Sequence, residues 1–94
     1  MRHGRPSDQE LRAIFQQELE EVLAGRGPRS CTGLDDDTSQ ALWDIFVAEP
    51  GDREALAAAA HRAFAGQLDG SNAARWHADM ERWFEEREQR RQQS

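Results

Sequence analysis

Residues 7–25, SDQELRAIFQQELEEVLAG, read as one helix with both of its ends marked. Ser7 and Glu10 stand three apart as a capping box, in which the serine satisfies the amide of Glu10 and the glutamate reaches back to Ser7. Pro6 marks the chain entry. Leu11, Ile14, Phe15, Leu19, Val22 and Leu23 then recur at helical spacing on one stripe, with Gln16, Gln17, Glu20 and Glu21 elsewhere. Gly25 is placed to end the helix and Pro28 prevents its resumption.

The same reading extends along the chain. Residues 26–33 hold Gly27, Pro28, Gly33 and the single cysteine, Cys31, and form a loop. The run Asp35-Asp36-Asp37 starts a second helix, since aspartate caps exposed amides and negative charge suits a helix N-terminus. Its inner face is Leu42, Ile45 and Phe46; Trp43 and Val47 lie on an adjoining face, and Pro50-Gly51 closes it. Asp52 caps a third helix with the stripe Leu56, Ala60, Ala63, Phe64 and Leu68, and its run Ala57–Ala60 gives a smooth surface that another helix can approach closely. After the turn Asp69-Gly70, Ser71 caps a fourth helix whose Ala73, Trp76, Met80, Trp83 and Phe84 share a face. No strand signal of comparable strength exists. The expectation is an all-α fold, a compact bundle of about four short helices in a single domain over residues 1–94, with 1–6 disordered and 88–94 frayed. Short connections predict antiparallel neighbours.

Composition bounds what such a bundle can do. Apolar residues are 37% of the chain and charged residues 32%, enough for one thin layer of packing. A partner, including a second copy, would add to it. Cys31 has no intrachain mate, the N-terminal segment has no apolar run behind its arginines, and no run approaches membrane-spanning length, so a cytoplasmic location is expected. The net charge of −6 is concentrated early: Asp8 to Glu54 holds twelve acids against four arginines. Such a surface repels nucleic acid and attracts basic surfaces.

Little in the chain carries chemistry. His61, His77, Cys31, Asp79 and Glu81 are metal-ligand types, yet no His-x-x-x-His, Glu-x-x-His or Cys-x-x-Cys pair occurs, and His77 with Glu81 supplies only two ligands. Cys31 lacks an adjacent base and reads as an incidental loop thiol. Gly25, Gly27 and Gly33 lack the spacing of a phosphate loop. No catalytic, cofactor or metal residues are expected, and the protein is not expected to be an enzyme. Arg75, Arg82 and Arg87 are interleaved with acids, which argues against direct DNA binding.

The residues singled out for partner binding are therefore acidic and aromatic. Glu18, Glu20, Glu21, Asp35, Asp36, Asp37 and Asp44 would make one negative face if the first two helices lie side by side. Trp43 and Trp83 are expected to be partly exposed, with Val47 a further partner-binding residue beside Trp43, and with Trp76, Phe84 and the other phenylalanines in the core. The expected function is a non-catalytic protein-binding module: a small acidic accessory, regulatory or inhibitory protein acting through its helical surface. The alternative is an inhibitor of a nucleic-acid-binding complex, of phage, immunity or antitoxin type, that blocks a basic groove with its acidic face. A second alternative is a minor metal-binding or enzymatic role. The expected partner is another protein, either one with a basic nucleic-acid-binding surface or a second copy in a homodimer, with no direct contact to nucleic acid or membrane.

Overall fold

A computed structural model describes residues 6–29 and 32–93. Four α-helices and no strand are found among them: α1 (Asp8–Leu23), α2 (Asp36–Val47), α3 (Arg53–Asp69) and α4 (Ser71–Gln93), with one 3-10 turn at Pro50–Asp52. The chain is all-α. Cys31, expected as a loop thiol, lies outside the described residues, as does the segment 1–5.

Local chemistry sets the helix ends. The capping box of α1 is formed: Glu10 N donates to Ser7 Oγ at 3.1 Å and Ser7 N donates to Glu10 Oε1 at 3.1 Å. Gly25, at φ +93°, takes the left-handed conformation just past the helix. Asp35 caps α2 by accepting Thr38 N at 2.9 Å. Two expected caps differ. Asp52 makes no side-chain cap bond, because it is drawn into the 3-10 turn before α3. Ser71 is already helical, and the acceptor is Asp69, whose Oδ1 takes Ser71 N at 2.8 Å. Residues 88–93, expected to fray, continue α4.

The connection from α1 to α2 corrects the expectation of antiparallel neighbours. It is not short. Gly25 lies against Arg53 and Gly27 against Phe46 at one end of the molecule, while Gly33 lies against Pro6 and Leu11 at the other. The chain thus leaves α1 at one end of the molecule and enters α2 at the other, so α2 starts beside the start of α1 and runs parallel to it. α3 returns antiparallel to both, its Gln67 Nε2 donating to Gly33 O at 2.9 Å and its Oε1 accepting Asp35 N at 3.0 Å. The returning segment is pinned midway by Glu18.

The core is made by these three helices. Leu11, Phe15, Leu19 and Val22 of α1 meet Leu42 and Ile45 of α2 and Ala60 and Phe64 of α3, all buried. Phe15 and Phe64 stack at 4.4 Å. The alanines of α3 allow its close packing with α2.

No α4 side chain belongs to this core. Only the first turns of α4 are anchored. Asn72, buried, donates through Nδ2 to Asp35 Oδ2 at 2.9 Å and to Ala63 O at 2.8 Å. Gly66 makes room for it, since a Cβ there would stand 2.1 Å from Asn72 Oδ1. Arg75 pairs with Asp37. Beyond this anchor α4 leaves the bundle, and the Cα radius of gyration is 16.7 Å, against about 12 Å for a compact domain of this length.

Candidate functional site

The structure divides the expected acidic face. Glu18 is fully buried, with Oε1 accepting Arg29 N at 2.7 Å and Oε2 accepting Arg29 Nε at 2.9 Å. Its carboxylate, by hydrogen bond and then by charge, raises the Arg29 guanidinium above its usual value. Glu18 is thus a structural clamp on the crossover and contributes nothing to an outer surface, which corrects its assignment to partner binding. The helical spacing carried the signal that separates it from Glu20: Glu18 stands seven after Leu11, three after Phe15 and four before Val22, on the buried stripe of α1, and the loop segment eleven residues on supplies its partner.

Glu20 is exposed and accepts Gln16 Nε2 at 3.0 Å, and Glu21 is half-buried. Both lie near the C-terminal end of α1. Because α1 and α2 are parallel, Asp35, Asp36 and Asp37 stand at the opposite end of the bundle. The single negative face expected from these residues is not assembled. Within the aspartate run, Asp35 caps α2 and holds Asn72, Asp37 pairs with Arg75, and Asp36 is exposed. Together with Asn72, Ala73 and Trp76 they line an open depression between α2 and α4.

On α2, Asp44 is exposed and accepts Gln40 Nε2 at 3.0 Å. Trp43 is 46% exposed, as expected, Val47 is 71% exposed, and Trp43 meets the half-buried Phe46 edge-on at 5.4 Å. The outer side of α2 thus carries Asp36, Gln40, Trp43, Asp44 and Val47.

The larger apolar surface is on α4. Trp83 is 46% exposed as expected, but Trp76 and Phe84, expected in the core, are 58% and 55% exposed. With the half-buried Met80 they make a continuous stripe along a helix whose other positions are polar, charged or alanine. The physical reason is direction: α4 is held to α2 and α3 through Asn72 and Arg75 in its first turns, and beyond them no α4 side chain enters the core. Trp83 meets Phe84 edge-on at 5.0 Å, and Arg87 lies over the Trp83 ring at 5.2 Å.

His61 and His77 are solvent-facing. His61 is exposed and edge-on to Phe15 at 5.3 Å; His77 is exposed and edge-on to Trp76 at 5.4 Å. Among the described residues no three His, Cys, Asp or Glu side chains gather as a metal site, and no helix is long and apolar enough to cross a membrane. Compared with protein-family models, curated proteins and solved structures, the chain has no match.

Proposed function

We propose that this chain is a non-catalytic protein-binding module that docks through the aromatic stripe of α4. The observation that supports this is the exposure of Trp76, Trp83 and Phe84 on a helix anchored only by its first turns. Aromatic side chains of this kind dominate binding energetics at interface centres. Half-covered rings of about 150–250 Å² each leave roughly 300 Å² of apolar surface on α4. At about 25 cal/mol per Å², covering it yields roughly 7 kcal/mol before the costs of association. A patch of roughly that size is comparable to the largest on an ordinary monomer, and such a patch is often functional.

A photo-crosslinking residue placed at Phe84 in native cell extract tests the reading. Crosslinked protein is expected at position 84, none at the exposed Ala58 of α3, and none when Trp76→Gln and Trp83→Gln are added. Equal labelling at 84 and 58 would count against α4 as the docking surface.

A second reading rests on α2. Its exposed Asp36 and Asp44 flank Trp43 on one side of the helix, a narrower acidic stripe than a joint face with α1, and one suited to a basic groove such as that of a nucleic-acid-binding protein. A partner held there is lost near 1 M salt, where the Debye length is about 3 Å, and is lost with Asp36→Ser/Asp44→Ser. A partner held by α4 survives both.

A further inference from the structure

We propose that the partner of α4 is a second copy of this chain, the two α4 helices pairing antiparallel along their aromatic stripes. This rests on the reading of α4 as the docking surface. Ala73, Trp76, Met80, Trp83, Arg87 and Arg90 recur alternately three and four residues apart, the spacing of a helix-pairing seam. In an antiparallel pair centred between residues 81 and 82, Met80 packs on the partner's Trp83 and Trp76 lies under the partner's Arg87. The second contact repeats across the seam what Arg87 already does over its own Trp83.

Charge selects both the occupant and the direction. α4 carries five acids and five arginines, so like α3, with two of each, it is neutral in a chain whose net charge is −6. It is also polarised. Residues 71–86 hold Asp79, Glu81, Glu85 and Glu86 against Arg75 and Arg82, while 87–93 hold Arg87, Arg90 and Arg91 against Glu88. In this register antiparallel pairing sets Arg87, Arg90 and Arg91 opposite residues 72–76 of the other helix, at its base, where Asp36 and Asp69 are exposed, and sets Glu81 opposite Arg82. A parallel pair would oppose Arg87 to Arg87 and crowd two acidic bundles. The antiparallel pair holds those bundles at opposite ends of a helix about 34 Å long, several times the roughly 8 Å Debye length at physiological salt.

The aromatic stripe supplies roughly 300 Å² per copy, less than half of the about 800 Å² per partner of a standard interface, so association in the micromolar range is expected. Sedimentation equilibrium of the full chain from about 1 to 200 µM reads it. The mass should rise from 10.7 kDa toward twice that value. Trp76→Gln/Trp83→Gln should stay monomeric with unchanged far-UV helicity, and Arg90→Glu/Arg91→Glu should weaken association at least tenfold. Orientation is read by spin labels at Gln92→Cys in a Cys31→Ser background. Labels about 30 Å apart, from ten residues on each side of the centre at about 1.5 Å each, support the antiparallel pair, and labels within about 15 Å overturn it. A chain still monomeric at 200 µM also overturns the inference. If that monomer crosslinks another protein at position 84, the docking reading survives alone; if it crosslinks nothing, both fail.

Discussion

α1, α2 and α3 spend their large side chains on one another, and α4 does not. Leu42 and Ile45 of α2 are 1% and 0% exposed, while Trp76 and Phe84 of α4, larger and as apolar, are more than half exposed. The two regions obey the same periodicity; they differ in what stands opposite. A helix of α1's length is covered along its whole run by the crossover, α2 and α3, whereas α4 is met only at its first turns by Asp35, Ala63 and Asp37. An amphipathic stripe therefore marks a surface that wants cover, and the fold supplies that cover only where another helix stands opposite.

The sharpest way to break this contrast is to truncate one large side chain in each region. Leu42→Ala removes a fully buried side chain from a thin core and should cost about 2–5 kcal/mol. That is a large fraction of the stability of a domain this small. Trp83→Ala, measured at low micromolar concentration, should change stability by no more than about 0.5 kcal/mol. Denaturant unfolding followed by far-UV circular dichroism checks both, and comparable losses would mean that α4 packs on the bundle.

Glu18 comes next in size. Replacing it with alanine leaves the Arg29 amide without its acceptor in a partly buried place, a loss of roughly 1–3 kcal/mol. Glu18→Gln retains an acceptor for that amide and should lose less. The same variants sharpen the functional contrast, because a buried carboxylate offers nothing to a partner. Glu18→Gln should leave crosslinking at position 84 unchanged.

The joint between the regions tests the anchor. In an exposed helix interior, glycine to alanine gains about 1 kcal/mol. Gly66→Ala should do the reverse, because the new Cβ would meet Asn72 Oδ1 and displace the side chain that holds Asp35 and Ala63. Asn72→Ala should cost about 1–2 kcal/mol by freeing the same two acceptors. If Gly66→Ala stabilises the protein, the close approach of α3 and α4 does not exist.

Legibility followed the range of the interactions. The capping box at Ser7, the aspartate cap of α2 and the stripes of α1 to α3 are local, and the sequence pattern finds them. The parallel run of α1 and α2 depends on the chain entering α2 beside the start of α1, and no residue pattern announces that. The acidic face failed for the same reason: α1 and α2 do lie side by side, but their parallel run sets Asp35 to Asp37 at the end opposite Glu20 and Glu21. Trp43, Val47 and Trp83 were identifiable as excess apolar surface. Trp76 and Phe84 were assigned to a core because periodicity says which face is apolar and says nothing of whether anything covers it.

The smallest expected effect concerns pH. Glu10, at the start of α1, accepts the Ser7 amide and bonds the Ser7 side chain, and these bonds lower its pKa from the usual 4.5. Asp69, at the joint before α4, is lowered from 3.8 by the Ser71 amide in the same way. A depressed folded-state value means that the unfolded chain binds the proton more tightly, so each carboxylate stabilises the fold above its unfolded value and loses that contribution as pH falls through the folded one. Stability should thus be level above about pH 5 and decline below the ordinary carboxylate range. The two regions separate here as well. Glu10→Gln should flatten part of the decline in global unfolding, read by denaturation, because α1 is in the core. Asp69→Asn should act mainly on α4, read as faster amide exchange in residues 71–76 at neutral pH. A variant at either site that altered both readouts equally would show that α4 and the bundle unfold as one unit.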